Sequence, residues 1–371
     1  MWKNVWVVFI IFLLSACQSN EDSNSSGVLP EQVQVGFDLE SVVEYAEAAE
    51  YKADFIDLDI DIVAAQLLDG KIVEQLIYAM GPQYIAEGDG VIEYLITYDG
   101  GDAFGEYGGL DGGLSYSRSE KDRFPNYDAV VFSDPGPPNQ TAQLSSYYNN
   151  EDFQTFTDLD FSPYLDVEQI IVEQLADLGL KDLQMDMVYA LDLDTMQEHY
   201  THYLLGEQRE EEWFEWNKSE EAYLMHFRQV IDDIPLMNAI WQDLPIEEGE
   251  ATQTEITAIY NDGGFNSLEV RRYYKTIEKS SMKPLISRQD AMDKLIELYQ
   301  FSIVEKETII SDLTLNYVAV VDDEQYRLIP AWVFEVKTKE TFSSMESYYD
   351  YRFYVFNAMT GERIKRAGEV S

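Results

Sequence analysis

The sequence predicts an α+β fold: antiparallel sheets with packed helices, a β-rich N-terminal domain, then one or two smaller α+β modules. Three observations carry that expectation. Several stretches alternate apolar and polar residues with the two-residue period of a half-buried strand. Others place apolar residues three and four apart behind a capping residue, the mark of a helix laid on a core. Clusters of Gly, Pro, Asn and Asp punctuate the chain between them. Apolar residues make up 46% and aromatics 13%, enough for a real core. The 371 residues suit two or three domains.

The chain opens like a secretory leader over residues 1–16. Lys3 gives the positive start, and the run from Val5 to Leu14 is apolar. That run is about half of the roughly 20 residues needed to span a bilayer. Small residues Ser15 and Ala16 precede the single cysteine of the sequence, Cys17. The order Leu14-Ser15-Ala16-Cys17 resembles the bacterial lipobox. The resemblance implies that Cys17 is the lipid attachment site and the first residue of the mature chain. It places the protein at the cell membrane, lipid-anchored, on the extracytoplasmic face. Residues 17–30 are then a flexible tether, rich in Ser, Asn, Asp and Glu around 18–27.

The expected β-rich domain covers 31–150. Residues 55–62 alternate strictly, with Ile56, Leu58, Ile60 and Ile62 on one face and Asp57, Asp59 and Asp61 on the other, which predicts a strand. Val91–Tyr98 is a second strand. Seven glycines between Gly100 and Gly113 make a turn-dense stretch, and Asp134-Pro135-Gly136-Pro137-Pro138-Asn139 is a linker.

A middle α+β module covers 163–246. Asp166 is the expected N-cap of a helix whose stripe is Ile170, Ile171, Leu175 and Leu178 and whose end is Gly179. A strand at Leu183–Leu191, a helix over 194–205 and a strand at Ala222–Ile231 follow, before Ile234-Pro235.

The last module covers 250–371. Strands over 254–260 and 268–277 flank Asn261-Asp262-Gly263-Gly264, a hairpin signature. A helix at Arg288–Gln300 is capped by Ser287 with Asp290 completing the box, and Ala291, Leu295, Ile296 and Leu298 face inward. Strands over 311–321, 326–337 and 348–356 finish the module. In the middle one Trp332 is in phase with Pro330 and Phe334, and these large rings are expected against Leu295 and Leu298.

This helix and the strands after it, with Leu328-Ile329-Pro330-Ala331-Trp332-Val333-Phe334 and the ending Val355-Phe356-Asn357-Ala358-Met359-Thr360-Gly361-Glu362, resemble PepSY-like modules. They are also similar to the extracytoplasmic YycH/YycI-type regulatory domains and to uncharacterised lipoproteins of Gram-positive bacteria that share them. The resemblance covers about residues 285–365, a quarter of the chain. It implies a helix on an antiparallel sheet and a role in inhibition, sensing or protein contact. YycH/YycI-type proteins use a membrane helix where this chain carries a lipobox, so their mechanism does not transfer.

Seventy acidic residues against 25 basic give a net charge of −45. Nucleic acid and anionic headgroups need clustered Lys and Arg, so neither is an expected partner. The partners expected are the membrane, through the N-terminal lipid, and another extracytoplasmic protein or peptide. Four groupings are candidates for chemistry. Glu198, His199 and His202 lie on one expected helix, but two imidazoles fall short of a zinc ligand set and His226 has no fixed spacing to them. Asp57, Asp59 and Asp61, spaced about 6.5 Å apart on a strand face, are too spread for one Ca²⁺. The loop 99–113 carries Asp99, Asp102, Glu106 and Asp111 as a second calcium candidate. Glu210, Glu211, Glu212, Trp213, Phe214, Glu215 and Trp216 hold the ingredients of a glycosidase without its geometry. Trp213, Phe214 and Trp216 read better as a partner-contact patch. No catalytic residue, metal ligand or cofactor is assigned, and a non-catalytic protein- or peptide-binding, regulatory role is expected. The alternatives are a ligand- or Ca-binding surface lipoprotein and a carbohydrate-active hydrolase.

Overall fold

Among the described residues strand outweighs helix by 52% to 21%, which corrects the α+β expectation: the chain adopts a β-rich fold built on large antiparallel sheets. The physical reason lies in where the early strands go. They do not close a sheet of their own. They extend sheets built by residues much later in the chain, and the few helices act as covers. The computed structural model describes residues 29–364 apart from 79–80, 99–111, 121–126, 132–152, 208–214, 240, 242–252, 301, 323–324 and 342–346.

Residues up to 131 give β1 (Val33–Val35), β2 (Glu47–Ala48), β3 (Tyr51–Phe55), α1 (Ile60–Leu67), β4 (Lys71–Tyr78), β5 (Gly81–Gly88), β6 (Val91–Tyr98), β7 (Gly113–Glu120) and α2 (Tyr127–Val131). Then come β8 (Gln154–Thr155), α3 (Tyr164–Asp177), β9 (Leu183–Leu191), α4 (Leu193–Glu207), β10 (Ala222–Ile231) and β11 (Ile234–Pro235). The remainder gives β12 (Glu255–Asn261), β13 (Gly264–Arg271), β14 (Tyr274–Lys279), β15 (Lys283–Pro284), α5 (Arg288–Gln300), β16 (Thr308–Asp322), β17 (Gln325–Thr341), β18 (Ser347–Asn357) and β19 (Arg363–Ile364).

A ten-stranded sheet runs β4-β5-β6-β7-β13-β12-β10-β9-β8, with β11 on β10. A seven-stranded sheet runs β1-β16-β17-β18-β19, with β3 on β17 and β14 on β3. β1 and β16 are parallel; the other named pairs of these two sheets are antiparallel. Strands from residues 31–150 therefore enter both sheets. The stretch 268–277, expected as one strand, changes sheet midway. Arg272 takes a left-handed φ of 55° and is buried, and there the chain leaves β13 for β14.

Local signals explain the helices and one misreading. The strand expected over 55–62 stops at Phe55, because the Asp59 side chain accepts hydrogen bonds from the Asp61 and Ile62 N–H groups and starts α1. Ile60, Val63, Ala64 and Leu67 then continue at helical spacing. α3 begins after Pro163, so Asp166 sits in its first turn rather than capping it. Its end is a Schellman motif: Leu180 N–H to Leu175 C=O at 2.9 Å and Gly179 N–H to Ala176 C=O at 3.0 Å, with Gly179 at φ 92°. α5 carries a reciprocal cap, Asp290 N–H to Ser287 Oγ at 3.0 Å and Ser287 N–H to Asp290 Oδ2 at 3.1 Å.

Val167, Ile171 and Leu175 of α3 join the core of the ten-stranded sheet. Ala291, Met292 and Leu295 of α5 join Trp332 and Phe334 in the core of the seven-stranded sheet, with Leu298 half-buried at its margin. Trp332 is fully buried and its indole N–H donates to Ile286 C=O at 3.0 Å. The other face of β17, with Ala331 and Val333, is also covered: Met237, Ala239 and Trp241 pack on it together with Phe353 and Val355 of the neighbouring β18. This strand reads as continuously apolar because it is buried on both sides.

Candidate functional site

Two polar residues, Asp232 and Asp233, form the turn between β10 and β11. Both take left-handed φ, 49° and 63°, as a two-residue hairpin turn requires. The turn is tied down from elsewhere in the sequence. Tyr45 Oη donates to Asp233 C=O at 2.7 Å, and Tyr51 Oη donates to Asp232 Oδ2. Lys279 Nζ reaches the same carboxylate oxygen at 2.6 Å and lies 5.5 Å from the Tyr51 ring centroid. The lysine and tyrosine hydrogen bonds hold the Asp232 carboxyl below its ordinary range. Burial, then the Asp232 bond, pushes the Tyr51 phenol up, so it stays a donor.

Beside this clamp opens a cleft of about 950 Å³. It is lined by β14 and Tyr51, by residues 56–59 and the first turn of α1, by the segment 178–182 after α3, and by the end of β10 with its turn. Asp57, Asp59, Asp182, Asp232 and Asp233 face it with Lys181, Lys275 and Lys279. Tyr273 donates to Lys181 C=O, and burial pushes its phenol up to about 12. Gln229, buried on β10, bonds both backbone groups of Tyr274: Nε2 donates to the C=O at 2.6 Å and Oε1 accepts the N–H at 3.0 Å. This amide joins the two sheets at the base of β14.

A smaller polar hollow of about 190 Å³ holds Asp186, Arg228, Asp312, Asn316 and Glu335. Asp312 and Glu335 stand opposite each other at a bulge between β16 and β17. Burial raises both carboxyls above their ordinary range. Arg228 is 3.8 Å from Asp186 and donates to Leu236 C=O and Asn316 Oδ1, so it braces the junction.

The residues singled out in the sequence do not converge. Cys17, Trp213 and Phe214 lie outside the described residues, as do residues 99–111 of the glycine-rich loop. Trp216 is 4% exposed and packs edge-on against Tyr127 and Tyr200, so it belongs to the core and not to an exposed contact patch. His199 is buried, its Nδ1 2.9 Å from Val130 C=O. His226 is buried on β10, its Nδ1 3.3 Å from Thr257 Oγ1, and burial lowers its pKa to about 4. Asp59 is a helix cap and Asp61 accepts from Tyr84 Oη. Among the described residues no group of three or more His, Cys, Asp or Glu side chains is placed to share a metal ion.

The cleft residues Tyr51, Gln229, Asp232, Asp233, Thr276 and Lys279 were missed in the sequence. One signal was present: two polar residues between Ile231 and Ile234 mark a tight hairpin. Nothing in the sequence says that β14 lies beside it.

The fold resembles an uncharacterized protein from Eubacterium rectale ATCC 33656, with a TM-score of 0.55 at 13% identity over 90% of this chain and 89% of that one. At that identity the likeness shows the fold alone. No protein-family model and no curated protein matches the chain.

Proposed function

We propose that this is a lipid-anchored extracytoplasmic binding protein, held at the membrane through Cys17, whose cleft beside the Asp232–Lys279 clamp takes a protein or peptide. The observation that carries the reading is the cleft itself: about 950 Å³ of space, walled by rigid sheet and helix ends and edged by an exposed strand. Its lining mixes carboxylates, lysines and the apolar side chains of Ile56, Ile62 and Val63, the composition of a recognition surface. The resemblance to PepSY-like and YycH/YycI-type domains implies the same kind of role. With a net charge of −45, the chain favours cationic over anionic partners.

A photoreactive amino acid at position 275, in the native lipoprotein on intact cells, tests this. Irradiation should trap one extracytoplasmic or membrane protein, and Cys17→Ser should release the chain and abolish the product. Trapping of nothing beyond what a photoreactive residue at an unrelated surface site traps would sink the binding role. Normal membrane retention of Cys17→Ser would sink the anchor.

A further inference from the structure

The bond between Gln229 and Tyr274 has the form of a strand pairing. A residue in a neighbouring antiparallel strand would accept from one residue's N–H with its own C=O and donate its own N–H to that residue's C=O. The Gln229 amide does both to Tyr274, at 3.0 and 2.6 Å, from a buried position. So the outer edge of β14 is filled at its first residue by a side chain standing in for a strand.

The register sets the direction of each later backbone group on β14. Tyr273 C=O accepts from Ile56 N–H on the β3 side, and the pairs Tyr274–Phe55, Lys275–Asp54 and Thr276–Ala53 succeed it. Inward and outward backbone groups alternate along an antiparallel strand. Tyr274 points outward to Gln229, Lys275 inward to β3, and Thr276 outward again, roughly 7 Å further along. A bulge between Thr276 and Glu278 then shifts the register, and pairing to β3 resumes at Glu278–Lys52 and Lys279–Tyr51. The surrogate ends there while the cleft continues: Gln229, Tyr274, Lys275 and Thr276 all line it. Among the described residues β14 pairs with β3 alone. Residues 275–279 are all exposed, with Ile277 at 53%.

We propose that the edge of β14, at Thr276 and across the bulge that follows it, binds an extended, cationic segment of a partner protein as one further strand of the seven-stranded sheet. This rests on the cleft being the binding site. Main-chain groups of Thr276 would supply affinity, in the manner of strand addition. Charge selects the segment: Lys279 is committed to Asp232, which leaves Asp57, Asp59, Asp182 and Asp233 facing Lys181 and Lys275 on the cleft lining. Lys or Arg on one side of the added strand meets those carboxylates.

The test pans a phage-displayed library of linear peptides against the chain from Cys17 onward, without lipid, and resynthesises the peptides recovered. Fluorescence anisotropy then compares three series. N-methylation at alternate peptide positions should weaken binding about tenfold or more each, the cost of a lost buried hydrogen bond, while methylation between them leaves it unchanged. Thr276→Pro should weaken binding to a similar degree with the melting temperature unmoved, because an outward edge position tolerates proline. The pair Asp57→Asn and Asp182→Asn should weaken it and flatten its salt dependence.

Peptides that respond to the Asp57/Asp182 variants yet ignore Thr276→Pro and tolerate methylation throughout would overturn strand addition and leave the cleft as the site. Peptides indifferent to all three series, or no peptide at all, would overturn both. A dimer of this chain dispersed by Thr276→Pro would overturn the proposal in favour of a second copy at the edge. If Thr276→Pro fails to fold, the methylation series alone decides.

Discussion

Trp332, on β17, is fully buried in the core it shares with α5, with its indole N–H donating to Ile286 C=O. Truncating such a side chain removes its transfer energy and leaves a cavity, so Trp332→Ala should cost about 3 to 5 kcal/mol. Urea unfolding of the full chain measures it; a loss under about 1 kcal/mol would contradict the packing described. The full chain is required because β17 draws partners from β3 as well as from β16 and β18. His226 gives the pH prediction. Burial lowers its pKa from 6.5 to about 4, so the folded state holds it neutral while the unfolded chain takes up a proton below about 6.5. Its penalty is absent above that pH, grows as pH falls, and is complete near pH 4, when the folded form protonates too. The raised carboxyls Asp312 and Glu335 act with the opposite sign, gaining stability as pH falls. The His226 contribution is therefore read as a difference. The gap in unfolding free energy between wild type and His226→Gln should shift against wild type from pH 7 to pH 4.5 by about 2 kcal/mol or more. A constant gap would show that the imidazole titrates normally in the fold.

At the scale of elements, local chemistry was legible and long-range pairing was not. α3 and α5 could be read because their apolar stripes are closed by a Gly179 turn and opened by a Ser287 box, both within a few residues of the helix. Residues 55–62 were misread because Ile-Asp alternation satisfies a strand period while Asp59 also caps a helix. β4 was missed because it is an exposed edge with little pattern to show, Ile77 being 93% exposed. The cleft was illegible for another reason: Tyr51, Gln229 and Lys279 are ordinary residues until β3, β10 and β14 are brought together across more than 200 positions. The same long-range seam supplies a prediction. β7 pairs with β13, and a Cβ on Gly113 would lie 1.9 Å from Val270 C=O and 2.5 Å from its carbonyl carbon. Both are backbone atoms, so the strands themselves must part. Gly113→Ala should cost about 2 kcal/mol or more, beyond the tenths gained from a stiffer unfolded chain. Gly90→Ala, at a turn with φ 83° and open space around the Cβ, should cost about 1 kcal/mol from backbone strain alone. Hydrogen exchange should quicken at Val270 in Gly113→Ala and not in Gly90→Ala; equal protection in both would refute the close approach.

For the molecule as a whole, charge and topology pull in different directions. A β-rich fold joined by pairs such as β1–β16 and β3–β17 depends on segments far apart in sequence coming together. Each must be held against the mutual repulsion of 70 acidic side chains with only 25 basic ones. Ion pairs such as Arg288–Glu40 at 2.6 Å and Lys306–Glu340 offset part of that repulsion. They are exposed on at least one side and worth little each. The surplus of negative charge remains and opposes the compact state at any separation shorter than the screening length. That length is about 30 Å at 0.01 M salt and about 10 Å at 0.1 M. Repulsion between distant carboxylates therefore reaches across much of the molecule at low salt and is confined to near neighbours at 0.1 M. The melting temperature should rise by a few degrees between 0.01 and 0.1 M NaCl, since about 1 kcal/mol moves a chain this size by roughly 1 to 2 degrees. Calcium chloride at matched ionic strength should add no saturable step. Such a step would instead reveal a bound ion, and a flat NaCl response would show that the carboxylates are spaced too widely for their sum to matter.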